Sequence, residues 1–143
     1  MRPLFIAVPR PVLALSLSIA ALGLASVTPV WAAGAHAKTA RQHITTAIQH
    51  GDKILTDGNA GKMDLFIQQG KEAIKHDEEA INIAKQDMAQ TRSARMKEFI
   101  DLAQKGHHEV RDAIQNAQQG HKDPALTAAI AGVKDLHDAV THL

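Results

Sequence analysis

Apolar residues return at helical spacing from Ala40 to the C-terminus, and no stretch alternates with period two. In a first segment the row is Ala40, Ile44, Ala47, Gly51 and Ile54. A second carries Ile67, Ile74, Ile81 and Met88 at seven-residue intervals, with Met63, Gly70 and Ala84 interleaved. That heptad row predicts the seam of a bundle helix. The third segment runs Met96, Phe99, Ala103, Val110, Ala113, Ala117, and the fourth Leu126, Ala129, Val133, Leu136, Val140, Leu143.

Turn chemistry separates these segments. Asp57-Gly58-Asn59-Ala60-Gly61 closes the first helix. Gly120-His121-Lys122-Asp123-Pro124 closes the third and opens the fourth, with Asp123 as N-cap and Pro124 at the first helical position. A break near Ala89-Gln90-Thr91, capped by Thr91, divides the second from the third. Short turns force antiparallel neighbours, so the expected fold is all-α, an up-down-up-down four-helix bundle. A straight run through 89–91 would instead give a long three-helix hairpin.

The first 32 residues read differently. Arg2 and Arg10 form a positive start, Val12 to Val27 is almost wholly apolar, and Val30-Trp31-Ala32 fits a signal-peptidase site. Residues 1–32 are therefore expected to be a secretory leader and 33–143 the bundle domain, periplasmic or secreted. The alternative is a membrane anchor, although a span normally needs ~20 apolar residues. After cleavage no stable anchor would remain, and a monomer is expected. Loss of Arg2 and Arg10 from the 16 basic residues leaves 14 against 15 acidic ones, which argues against nucleic acid as a partner. With no cysteine there is no disulfide, thiolate ligand or covalent c-type haem. Beyond the leader Phe66 and Phe99 are the only aromatics, so the core must be aliphatic and rich in alanine.

Against that plain background stand nine histidines. Three follow an alanine–branched aliphatic pair at one fixed distance: Ala47-Ile48-Gln49-His50, Ala73-Ile74-Lys75-His76 and Ala139-Val140-Thr141-His142. The doublet belongs to the core, and an imidazole two residues later points about 200° away from it. His36, His43 and His50 form one stripe, but steps of about 10.5 Å keep any two of them from sharing an ion. Carboxylate and imidazole meet at helical spacing in Glu72/His76, His108/Asp112 and Asp138/His142, with Glu79 three residues after His76. Each pair is either a mixed metal site or a surface ion pair. If helices one and four pair so that residue numbers sum to about 180, His43 meets His137 and His36 meets His142 across their seam. His121 sits in a turn. The candidate ligands are thus His36, His43, His50, His76, His108, His121, His137 and His142. They would take weakly bound divalent Cu, Ni or Zn, with Cu(II) favoured by the usual stability order.

The segments Asp112-Ala113-Ile114-Gln115-Asn116-Ala117-Gln118-Gln119-Gly120-His121 and His137-Asp138-Ala139-Val140-Thr141-His142 resemble repeat units of the small metal-binding protein family. Its members are histidine-rich four-helix bundles of the bacterial periplasm that take up copper, nickel and other divalent ions. The resemblance implies His50, His76, His121 and His142 as ligands. Asn82, Asn116 and Gly132 stand where that repeat could hold histidine, and members of the family carry more histidine than this chain.

Metal binding or buffering without catalysis is the leading expectation. No nucleophile–base–acid spacing or phosphate loop points to an enzyme. The alternative is a helical interaction or stress protein whose histidines are merely polar surface residues. A haem-b bundle using Met63, Met88 or Met96 is less well supported, because those methionines fit the core.

Overall fold

A computed structural model describes residues 30–143 of the chain, with side chains from residue 34 onward. It contains four helices: α1 Val30–Asn59, α2 Met63–Thr91, α3 Ala94–Gln118 and α4 Lys122–Val140. Each packs against its neighbours in the chain, α1 closes the ring on α4, and the diagonal pairs scarcely touch. This is the up-down-up-down bundle that short turns require. Most of the expected leader, residues 1–32, lies outside the described residues. No helix among the described residues is long and apolar enough to cross a membrane.

The turns fall where glycine and polar residues cluster, with differences in detail. Gly61 (φ +74°) and Gly120 (φ +79°) end α1 and α3 in the left-handed region. Each closes paired bonds back into its helix, Lys62 N to Asp57 O at 2.8 Å and His121 N to Asn116 O at 2.8 Å. At the middle break Arg92 takes the left-handed position, and the cap of α3 is Ser93, whose side chain accepts from Met96 N at 3.3 Å. Thr91 is not that cap; its hydroxyl donates to Asp87 O instead. Likewise Asp123 is not the cap of α4. The helix begins at Lys122 behind His121, which leaves Asp123 and Pro124 inside the first turn. Proline is tolerated there because the first amides of a helix have no partner within it.

The core is aliphatic and built on small residues. The rows expected for α1 and α3 are buried throughout, and α4 buries Ala129, Val133 and Leu136. In α2 the seam is shifted in part. Gly70, Ile81 and Ala84 are buried as expected and Phe66, Ala73, Asp77, Ala80 and Asp87 join them, while Met63, Ile67, Ile74 and Met88 are only half-buried. Adjacent rows share one period, so periodicity cannot choose between them. The row rich in small residues wins because it lets neighbouring helices approach, and Ile67 and Ile74 then cover the edge of the core.

The closest approach joins α3 to α4. A Cβ built on Gly132 would lie 2.9 Å from Gly106 O and 2.9 Å from Val110 N, and one on Gly106 would lie 2.9 Å from Gly132 O. Backbone atoms cannot withdraw as a side chain can. Gly132 therefore holds its place for packing, which explains why no histidine stands there.

Candidate metal centre

A helix turns about 100° per residue, so the residue just before each core position lies on one flank and the residue just after it on the other. We call these the leading and trailing flanks. Antiparallel neighbours are related by a local two-fold axis, which makes a leading flank meet a leading flank and a trailing flank meet a trailing one. In this bundle leading flanks form the α1–α2 and α3–α4 seams. Trailing flanks form the α2–α3 and α4–α1 seams. Contacts follow the rule: His43 with Glu79 on α1–α2, Lys105 with Asp135 and Glu98 with His142 on α3–α4, and Asp52 with His137 on α4–α1.

His43 and His50 precede Ile44 and Gly51 and so face α2. His76 and Glu79 precede Asp77 and Ala80 and face back toward α1. The His76 ring falls between the two α1 histidines, 5.9 Å from the centroid of His43 and 5.8 Å from that of His50, with which it stacks nearly parallel. The α1 stripe, whose own members are too far apart to share an ion, is thus interleaved by an imidazole from the next helix.

Among the described residues one group converges. Donor atoms of His43, His76 and Glu79 all lie within 4.8 Å of one another. His43 Nδ1 is 2.8 Å and His76 Nδ1 3.3 Å from the same carboxylate oxygen, Glu79 Oε2. His76 Nδ1 is sealed from water, yet it is out of line for a hydrogen bond and has no hydrogen-bond partner among the described residues. Metal–ligand bonds of ~2.0–2.1 Å at tetrahedral angles hold neighbouring donors ~3.3 Å apart. The His76 contact already has that length, and the His43 contact must open by about half an ångström. The three side chains are 25% to 40% exposed, which leaves room for water as a further ligand. Behind them, His50 Nδ1 donates to Gln69 Oε1 at 2.7 Å, holding the ring that stacks on His76.

The remaining candidates scatter. His43 does not meet His137: His43 is on a leading flank and His137 on a trailing one, and no antiparallel seam joins the two. His137 Nε2 lies instead 3.4 Å from Asp52. His142 does not pair with His36 either; its Nδ1 is 2.9 Å from Glu98 of α3. His36 continues the α1–α2 flank, with a buried Nδ1 that has no partner among the described residues. His108 and His121 are exposed. None of the pairs Glu72/His76, His108/Asp112 and Asp138/His142 is an ion pair among the described residues. Asp138 binds Lys134 at 2.6 Å, and that hydrogen bond holds its carboxyl below the ordinary value. The His50, His76 and His142 rings, expected about 200° round the helix from their core doublets, are half-buried in seams.

Sequence reasoning passed over a second histidine site inside the bundle. His107 is 7% exposed and Asp77 only 1%. Nδ1 of His107 donates to Asp77 Oδ2 at 3.1 Å, and its Nε2 accepts from Arg111 at 2.9 Å, since a guanidinium can only donate. Asp77 Oδ1 has no partner among the described residues, and burial raises the Asp77 carboxyl above its ordinary value despite the opposing hydrogen bond from His107. A signal existed for both residues. Asp77 lies on the row between Gly70 and Ala84, and His107 lies four residues after Ala103 and three before Val110.

Comparison of the chain with family models, curated proteins and solved structures found no match.

Proposed function

We propose that this protein binds a divalent transition-metal ion between α1 and α2, through His43, His76 and Glu79, and serves as a metal-binding or buffering protein of the periplasm. The observation that carries this reading is the convergence of two imidazoles on one carboxylate oxygen, with a water-sealed imidazole nitrogen among them that no hydrogen bond uses. An imidazole nitrogen buried without a hydrogen-bond partner is costly, and a cation bound there in place of any proton removes that cost. Two imidazoles and a carboxylate suit Cu(II), Ni(II) and Zn(II), and the open coordination position suits reversible binding. The leader-like start of the sequence supports the compartment, and its resemblance to the small metal-binding proteins supports the cargo. The scatter of the other histidines favours one main site over many equal ones.

Equilibrium dialysis against Cu(II), Ni(II) and Zn(II), with elemental analysis, tests the proposal. About one ion per chain is expected at micromolar free metal, a range typical of sites with a few protein ligands. His76→Ala should abolish most of that binding, and His137→Ala should leave it intact. Protons compete for imidazole, which titrates near pH ~6.5 when free, so binding should weaken steeply from about pH 7 to pH 5. Substoichiometric binding at neutral pH would overturn the proposal in favour of a helical interaction protein whose histidines are surface polar groups.

A further inference from the structure

The trailing flanks of α2 and α3 enclose a groove of about 300 Å³ on the side of α2 away from the metal centre. Its chemistry is the reverse of that centre. Lys85 from α2 and Arg111 from α3 line it, and neither forms an ion pair among the described residues. Asn82, Gln104 and His108 add amide and imidazole donors, and Glu78 is the one carboxylate of the lining. At the base lies His107, anchored from behind by the buried Asp77. Arg111 spends a single hydrogen bond on His107 Nε2 and keeps its other N–H donors for the groove.

A metal ion does not fit here. The one buried imidazole of this groove, His107, has its Nε2 lone pair occupied by Arg111, and two cations face one carboxylate. We propose that the α2–α3 groove is a binding site for a small oxyanion of the phosphate or dicarboxylate class, gripped by Arg111 and Lys85. The His107–Asp77 pair acts as the fixed post that positions the guanidinium. A guanidinium held in place loses less entropy on binding and presents its fork to two anionic oxygens. The ammonium of Lys85 supplies a second charge from the opposite wall.

The test is a titration of the metal-free protein with inorganic phosphate and, separately, with succinate, followed by amide chemical shifts and calorimetry. Saturable binding of one of the two with a Kd of about 1 mM or tighter is expected. The strongest shifts should fall around residues 82–85 and 104–111, and the anion that saturates identifies the class. Arg111→Gln and Lys85→Gln should each weaken binding about tenfold or more, because a charge-assisted hydrogen bond contributes that much. Both side chains are exposed, so both variants should fold, which circular dichroism checks. His43→Ala should bind the anion unchanged, which separates this site from the metal centre. Failure of both anions to saturate would overturn the proposal. So would equal weakening by Lys38→Gln/Arg41→Gln on the outer surface of α1, which would mean diffuse attraction in place of a site.

Discussion

Asp77 shows what a single residue contributes when its row carries it inward. Burial holds the carboxyl above the ordinary 3.8, and the His107 hydrogen bond offsets only part of that effect. A carboxyl raised in the folded state binds its proton more tightly there than when unfolded. Stability is therefore greatest below the unfolded value and falls as pH rises through the folded one. At neutral pH the ionised Asp77 is a net cost. Asp77→Asn keeps an oxygen for His107 Nδ1 and removes the charge. Its melting temperature should exceed that of the wild type at pH 7, and the gap should close as pH falls toward 4. Thermal melts across that range check it, and a gap that widens on acidification would contradict the account. The residue was legible as a row position, between Gly70 and Ala84. Its partner was not, because a periodic row shows that a polar group is buried without showing what meets it.

At the scale of elements, small residues decide which faces touch. Of the isoleucines expected in the α2 seam Ile81 is buried while Ile67 and Ile74 stay at the edge, and much of the side that enters the core is glycine and alanine. Gly106 and Gly132 carry this furthest, since each would place a Cβ 2.9 Å from the other's carbonyl oxygen. Gly132→Ala should destabilise the protein by about 1–3 kcal/mol, the usual range for overpacking, in urea unfolding followed by circular dichroism. Ordinarily alanine favours a helix over glycine by roughly 1 kcal/mol, so a loss of stability can come only from the α3–α4 contact. Helix ends at the turns were readable to within two residues, from Gly61, Gly120 and the break placed at 89–91. Ser93 displaced Thr91 as a cap because Arg92 enters the left-handed region and ends α2 one residue later than Thr91 could cap.

The whole molecule decides whether a metal couples helices. An ion held by His43, His76 and Glu79 ties α1 to α2, and by linkage it stabilises the fold by about 2.7 kcal/mol at a hundredfold excess over its dissociation constant. Calorimetry should show Cu(II), Ni(II) or Zn(II) raising the melting temperature of the wild type and of His137→Ala. His43→Ala and Glu79→Gln should each lose most of that rise while their metal-free melts stay within about 0.5 kcal/mol of wild type, as for other partly exposed positions. Loss of the rise in His137→Ala alone would place the ion on the α4–α1 seam instead.

Sequence by itself determined the helical period, the antiparallel order that short turns impose and the flanks of the α1 and α4 histidines. Those follow from local facts: a rotation of about 100° per residue, and turns too short to allow parallel neighbours. It also held enough to reject His43 with His137, since one precedes its core row and the other follows it. It left open a straight run through 89–91 and which of two adjacent α2 rows is buried. Only the tertiary structure decided the hand of the ring. With α2 on one side of α1 the leading flank meets His76 and Glu79; with α2 on the other it would meet the leading flank of α4, around Asp135. Both hands bury the same rows and satisfy the same turns. The choice lies in how the helices settle against one another, at contacts such as Gly106 against Gly132, and that packing also sets the axial register that drops His76 between His43 and His50.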